Sequence, residues 1–127
     1  MAITSKPKIL VFLADGAIAK GKAVKIGSDS RHVAVCSATT DQAIGVCQNV
    51  VTAAEGLVEV AINGGGAKGL AKAAIAAGDL VGVNADGALQ KANAAHDRVV
   101  GVAMEGAAAA DIFALEVAIG MATQQQA

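Results

Sequence analysis

Two glycine-rich stretches of this sequence have the spacing of loops that bind phosphate groups. Residues 16–22 read GAIAKGK and fit the pattern G-x-x-x-x-G-K of nucleotide-binding loops. In such a loop the next residue is a Ser or Thr whose hydroxyl binds Mg²⁺, whereas this chain has Ala23. We therefore interpret residues 16–22 as a turn that leads into a strand.

The second stretch, residues 64–69, reads GGGAKG and fits the pattern G-x-G-x-x-G of dinucleotide-binding loops. That function requires a strand before the loop and a helix after it. A lone pattern of this kind arises easily in a chain with 15 glycines among 127 residues. We interpret residues 63–73 as a linker, and a nucleotide-binding module that uses a glycine-rich loop is kept as an alternative function.

Histidine and cysteine offer little further chemistry. His32 and His96 lie in polar, turn-rich surroundings, and no H-x-x-H, C-x-x-C or H-E-x-x-H spacing is present. Cys36 and Cys47 lie in apolar strand patterns, which indicates buried thiols in a reducing compartment, although a pairing between them stays possible. The sequence predicts no catalytic residues, no cofactor site and no metal ligands, and hence a protein that is not an enzyme.

A tandem duplication accounts for most of the chain. The tetrapeptide EVAI occurs at Glu59–Ile62 and again at Glu116–Ile119, and residues 17–62 can be laid over residues 74–119. The first unit begins AIAKGKAVKIGSD and the second AIAAGDLVGVNAD. The alignment makes the two EVAI glutamates equivalent, on the solvated faces of their strands. Such a carboxylate pair could bind a cation, but nothing else in the sequence supports a site.

Each unit repeats a succession of short alternating segments and small-residue turns. This pattern predicts an all-β, small barrel- or sandwich-like domain built from two tandem similar units, with little helix. Helix-friendly composition is confined to residues 67–77 and 107–110. The predicted strands are Ala23–Ile26, His32–Cys36, Ile44–Gln48 and Leu57–Ile62 in the first unit, and Leu80–Val83, Ala88–Ala92, Val99–Met104 and Phe113–Ile119 in the second.

The duplication also suggests boundaries. We expect an N-terminal arm at residues 1–14, a single β-rich domain at residues 15–121 and a polar C-terminal tail at residues 122–127. The linker of residues 63–73 then joins the two repeats. The apolar run Ile9–Ala14 is too short for a membrane span or an export signal, so we expect neither.

Composition favours a component of an assembly. Hydrophobic residues make up 54% of the chain, yet it has two Phe and no Tyr or Trp. Small side chains bury little area each, so such a chain gains stability by packing against copies of itself or a partner. With a net charge of −1 and few aromatic residues, it lacks the basic surface and the stacking platforms of a nucleic-acid-binding protein.

Several motifs of the second unit together resemble those of bacteriophage capsid cement proteins, also called head decoration proteins. These are GDLV at residues 78–81, Asp86–Gly87, VGVA at residues 100–103 and EGAAAAD at residues 105–111. The first unit is similar in layout to the lambda-type decoration protein. The resemblance implies a structural protein of the virion, assembled in the host cytoplasm, that forms homotrimers on the outer capsid surface and stabilises the major capsid protein lattice. It brings no catalytic residues and no nucleic-acid or membrane partner.

The N-terminal arm is the predicted capsid contact, because arms of this kind lie on a neighbour or add a strand to it. A leader without a role is the alternative for this segment. A small barrel-sandwich carrier is the remaining alternative function, with Lys68 as the modified lysine between the halves. The contact candidates are Lys6, Lys8, Ile9, Leu10, Val11, Phe12 and Leu13.

Overall fold

The computed structural model of the chain describes residues 8–92 and 98–121, and this part consists of β-strands joined by turns, without a helix. The predicted all-β fold class is thereby confirmed. Alternation of apolar and polar residues gives each short segment one face for a core, which favours strands. The strands are β1 (Ile9–Ala14), β2 (Ala23–Ile26), β3 (His32–Val35), β4 (Gly45–Cys47), β5 (Leu57–Ile62), β6 (Gly66–Leu70), β7 (Leu80–Val83), β8 (Leu89–Lys91), β9 (Arg98–Ala103) and β10 (Ile112–Met121).

The strands form two five-stranded units with the same neighbours. In the first unit, β1 to β5 close into a barrel in the order β1-β3-β2-β4-β5, and in the second the order is β6-β10-β9-β7-β8. When β6 to β10 are matched in turn to β1 to β5, every antiparallel pair of the first unit recurs in the second. The construction from two similar units is therefore present, and each unit contains one more strand than predicted.

The additional strand of the first unit is β1, which the sequence analysis assigned to an arm. Residues Ile9–Leu13 pair antiparallel with β5, and Leu13 and Ala14 pair parallel with β3. Ala14 is fully buried. The arm boundary at residue 14 is thus wrong for residues 9–14, because an apolar run that finds strand partners on both sides joins the barrel. Residues 1–7 of the predicted arm and the predicted tail at 122–127 lie outside the described residues.

The additional strand of the second unit is β6, in the stretch predicted as a linker. Gly66–Leu70 pairs antiparallel with β10 from Ile112 to Glu116. Gly69 lies against the core, since a Cβ there would lie 2.6 Å from Leu89 Cδ1 and 2.9 Å from Leu115 Cδ2 and both side chains would have to shift. The glycine spacing that imitates a phosphate loop therefore reflects a strand whose backbone lies against the core.

The EVAI tetrapeptides are not structurally equivalent. The Gln48 N–H donates to the Glu59 carbonyl in the first unit, and the Met104 N–H donates to the Ala114 carbonyl in the second. Because Gln48 and Met104 occupy the same point of the two units, Glu59 corresponds to Ala114 rather than to Glu116. The predicted alignment is two residues out of register in the last strand, so the symmetric carboxylate pair does not exist.

The two units share a hydrophobic core. A smaller cluster fills the first barrel, whereas the larger one fills the second unit and continues onto the outward face of the first. The contributions from the first unit are small or medium side chains, which lets the two backbones approach closely. These residues are Ala23, Cys36, Ala43, Val46 and Ala61.

The two phenylalanines fill the two units from opposite strands. Phe12 of β1 lies opposite Val58 of β5, whereas in the second unit Gly69 of β6 lies opposite Phe113 of β10. Each cross-strand pair thus combines one aromatic ring with a smaller residue. A ring packed over a strand glycine covers the backbone that the missing side chain leaves open. In both units an aromatic ring therefore fills this position, but the ring comes from the first strand in one unit and from the last strand in the other.

The units differ at the seam, by which we mean the boundary between the first and third strands of a unit. In the first unit, the Leu13 N–H donates directly to the Arg31 carbonyl at 2.8 Å. In the second unit the equivalent Leu70 N–H donates to the Gly21 carbonyl, and the Gly87 carbonyl accepts from the Ala23 N–H. Residues 21–23 of the first unit are thus inserted between Leu70 and Gly87. One residue further along, the seam of the second unit is bridged between Ala71 and Leu89, as it is between Ala14 and Val33 in the first.

Candidate interaction surface

Neither glycine-rich stretch has the geometry of a phosphate-binding loop. Gly21 has a φ of +90° and leads directly into β2, and residues 66–70 are a strand. Within residues 8–92 and 98–121, neither stretch is followed by the helix whose N-terminus would face a phosphate. The two loops therefore serve the strand architecture.

Lys68 also lacks the presentation that a carrier lysine requires. It lies in the middle of β6, where its N–H donates to Gln48 Oε1 and its carbonyl accepts from Gln48 Nε2, both at 3.0 Å. The side-chain amide of Gln48 thus pairs with the strand edge as another backbone would. A modified lysine is presented at a hairpin tip, and Lys68 is held within a strand.

Other catalytic or metal-binding arrangements are not formed by the described residues. In this part of the chain, no group of three or more His, Cys, Asp or Glu side chains is placed to hold a metal ion. Both cysteines are free and buried, and burial raises the pKa of Cys36 to about 12 and also raises the pKa of Cys47. Neither thiol is therefore ionised near neutral pH, and only the ionised form, the thiolate, is nucleophilic. No helix among the described residues is long and apolar enough to span a membrane.

His32 links two turns through its side chain, a contact that the sequence did not indicate and that we call the His32 clamp. Its Nδ1 lies 2.7 Å from Asp29 Oδ1 and its Nε2 lies 2.9 Å from Glu55 Oε2. The hydrogen bonds with Asp29 and then Glu55 raise the pKa of His32, and the bond to His32 lowers the pKa of Asp29. With both ring nitrogens engaged, the imidazole ties the β2–β3 turn to the turn before β5. His96 lies outside the described residues.

Three of the five predicted contact residues of β1 form an exposed apolar surface. Ile9, Leu10 and Val11 are exposed, with Val11 at 60% of its full area. Phe12 instead packs against the core of the first barrel. Leu13 is half-buried beside Arg31, Lys8 is exposed, and Lys6 lies outside the described residues.

A groove of about 330 Å³ runs along this part of β1. We call it the β1 groove. It includes residues that the sequence analysis missed because they come from other elements: Ser30 and Arg31 from the β2–β3 turn, and Leu57 from β5. Leu57 is 65% exposed, although it begins a strand whose alternate residues are fully buried. A contiguous exposed apolar surface with a polar rim is typical of a protein-binding site. The lining residues are Val11, Phe12, Leu13, Ser30, Arg31 and Leu57.

The corresponding surface of the second unit is partly covered. Lys68 is the equivalent of Val11, and its backbone edge is occupied by Gln48. Ala114, the equivalent of the exposed Glu59, is fully buried. Ile112, the equivalent of Leu57, keeps a comparable exposure at 46%, and the Lys68 side chain is also exposed. Of the two related surfaces, the one on the first unit is therefore the one left open for a partner.

Comparisons with known proteins agree with a structural role. A family described as phage cement protein matches residues 4–123. The crystal structure of the head fiber gp8.5 N base in bacteriophage phi29 is similar in fold, with a TM-score of 0.68 and 15% sequence identity. The similarity covers 94% of this chain and 98% of that chain. No curated protein matches the chain.

Proposed function

This chain belongs to the phage cement protein family, and we propose that it binds the outer surface of a phage capsid and stabilises the lattice of the major capsid protein. Membership gives it a structural, capsid-associated role in the virion. The observation that carries the finer proposal is the exposed apolar surface of Ile9, Leu10, Val11 and Leu57 on a unit whose other outward face is already buried. Exposing such a surface to water costs free energy, and docking on a partner recovers that cost by burying the apolar area.

The contact is assigned to the N-terminal side of the first barrel. Ile9, Leu10 and Val11 supply apolar area, and Lys8 and Arg31 supply charge at its rim. Phe12 contributes by holding β1 against the barrel. Lys6 stays in the proposal on the strength of the sequence alone.

A homotrimer in the virion, assembled in the host cytoplasm, completes the proposal. The resemblance to head decoration proteins supports the trimer, and the aromatic-poor composition supports association in general. The near-neutral charge of −1 argues for a protein partner over nucleic acid. No membrane partner is part of the proposal.

The test uses empty shells of the major capsid protein prepared without this chain. Adding the chain should give saturable binding in a sedimentation assay and should raise the temperature at which the shells disassemble, because a ligand of the assembled state stabilises it. A variant lacking residues 1–8 separates the contribution of Lys6 and Lys8 from that of β1. Saturable binding without a change in shell stability would contradict the cementing role, and no binding would contradict the proposal as a whole.

A further inference from the structure

The backbone of β1 has hydrogen-bonding groups that point away from its partner strand. The carbonyl of Lys8 accepts from the Ile62 N–H of β5, and the N–H of Ala14 donates to Gly56, whereas the N–H of Leu13 donates to Arg31 on the opposite side. Since these groups alternate in direction along a strand, those of Ile9 and Val11 point in the same direction as those of Leu13. Those of Val11, which lines the β1 groove, therefore point to the side on which Arg31 lies.

β3 covers only the end of this edge. It pairs with β1 at Leu13 and Ala14, and the chain before β3 turns away at residues 27–31. Within the described residues, no strand pairs with Ile9–Phe12 on that side. An open strand edge lined with apolar side chains is a template for another strand.

The second unit shows what occupies the same edge when it is covered. At the position equivalent to Val11, both backbone groups of Lys68 are bound by the Gln48 amide. At the position equivalent to Leu13, the Leu70 N–H is bound by Gly21, which belongs to the other unit. In the second unit, amide and carbonyl groups of the first unit thus bind the backbone groups along this edge. In the first unit, no such groups from the other unit bind the equivalent edge.

We infer that the edge of β1 at Ile9–Val11 receives an extended segment of the capsid shell protein, which adds to the first barrel as a further strand. The inference rests on the proposed function for the identity of the partner, and on the open edge for the mode of binding. Backbone hydrogen bonds supply affinity in this mode, and pockets for alternate side chains supply specificity.

Charge and volume describe the segment that fits. Arg31 lines the β1 groove and Lys8 directly precedes β1, and no carboxylate of the described residues forms a salt bridge with either. Glu59 lies opposite Val11 but on β5, across the strand from the open edge. The groove of about 330 Å³ is lined mainly by apolar side chains. The segment therefore carries an apolar residue facing Val11 and Leu13 and an acidic residue within reach of Arg31.

Hydrogen exchange on the full chain tests the mode of binding directly. The Val11 amide should exchange rapidly in the free protein and at least about 10-fold more slowly when shells of the major capsid protein are bound, because it then donates to the added strand. The Phe12 amide, which faces β5, should be protected in both states and serves as the internal reference.

Val11→Pro provides the matched disruption. It removes one of the two N–H groups, those of Ile9 and Val11, that an added strand would use, and it leaves the β1–β5 hydrogen bonds intact because the Val11 N–H points away from β5. Shell binding should weaken by about 10-fold or more. Val11→Thr keeps the N–H and should bind nearly as the parent does. Arg31→Glu should also weaken binding, while the same charge reversal at Lys68 on the second unit should not.

The outcomes separate this inference from the proposed function. Protection of Val11 on shell binding, together with loss of binding in Val11→Pro but not in Val11→Thr, supports the inference. Shell binding with an unprotected Val11 overturns it and leaves the capsid role intact. Protection that is already present in the free chain, or that grows with its concentration, assigns the edge to its own termini or to a second copy and also overturns it. No shell binding contradicts the proposed function itself.

Discussion

The first and second units have the same strand order but treat their seams in opposite ways. The first closes its seam through the Leu13–Arg31 hydrogen bond, while the second admits residues 21–23 of the first unit between Leu70 and Gly87. The first-strand edge of the second unit is thereby bound by groups of the first unit, whereas the first unit keeps its own edge on the surface. Of the two similar surfaces, one thus joins the two units, while the other is exposed in the part of the chain that the structure describes.

The largest expected effect concerns the phenylalanine that fills each unit. Phe113 is fully buried in the shared core, so Phe113→Ala should lower the free energy of unfolding by about 3–5 kcal/mol. Phe12 is only half-buried in the smaller core, so Phe12→Ala should cost less. Urea unfolding of both variants measures the difference. Equal losses would show that the two cores are equivalent in energy, contrary to the structure.

A second comparison uses the glycines of the equivalent turns. Gly21 and Gly78 have φ values of +90° and +91°, so an alanine is strained at either position. A Cβ on Gly21 would lie 2.7 Å from the Leu70 nitrogen, whereas a Cβ on Gly78 meets nothing within 4 Å. Gly21→Ala should therefore destabilise by about 1–3 kcal/mol more than Gly78→Ala. Thermal unfolding of the two variants measures the difference. Equal losses of stability would contradict the insertion of the Gly21 turn into the seam of the second unit.

A third comparison exchanges the residues that precede the last loop of each unit. Gln48→Met removes the amide that binds both backbone groups of Lys68, and since water can reach this edge the loss should be about 1 kcal/mol. Met104→Gln, the reverse change at the equivalent place, should shift stability by no more than about 0.5 kcal/mol. Denaturant midpoints measure both. A loss in Met104→Gln as large as in Gln48→Met would remove the distinction between the two edges.

The smallest effect concerns the His32 clamp, which has no counterpart in the second unit because Ala88 and Ala110 stand at the equivalents of His32 and Glu55. The pKa of His32 is raised in the folded state, so its stabilisation is fully present below the unfolded value of about 6.5 and is lost as pH rises through the folded value. The lowered pKa of Asp29 sets the acid limit, because its contribution is lost as pH falls through that value.

Replacing His32 by Gln should therefore destabilise the protein more at about pH 5.5 than at about pH 8.5. Urea unfolding of the parent and the variant at both pH values provides the comparison. His32→Gln losses that do not depend on pH would show that the imidazole acts by packing alone.

The sequence predicted the strands that have clear alternation and missed those that do not. Ala23–Ile26, Leu57–Ile62 and Leu80–Val83 were predicted with the bounds that they have in the structure. β6 was missed because its sequence, GAKGL, is typical of a loop, and its strand conformation depends on pairing with β10, on the Phe113 ring and on Gln48. Tertiary contacts decided its conformation, and local sequence carries no signal of them.

The register error in the last strand has an equally specific cause. The loop between Gln48 and Leu57 has eight residues, 49–56, and the one between Met104 and Ile112 has seven, 105–111. The offset in residue number between equivalent positions therefore decreases along the second unit. The identical EVAI letters led the alignment to keep the original offset at the last strand. Likewise, Gly21 and Gly78 are alike in sequence, and only the fold shows that one of them is inserted in a seam. The contact candidates on β1 stay a prediction, and the sequence did not indicate Ser30, Arg31 and Leu57, which line the groove with them.

Whether the first unit carries the capsid contact is tested by comparing Leu57→Asp with Ile112→Asp in binding to shells of the major capsid protein. The two positions are equivalent in the two units, both are exposed, and both receive the same charge, so their effects on folding should be similar. If the first unit carries the capsid contact, Leu57→Asp weakens binding by about 10-fold or more and Ile112→Asp leaves it unchanged. Unchanged binding of Leu57→Asp, or loss confined to Ile112→Asp, would contradict the assignment of the open surface to the capsid.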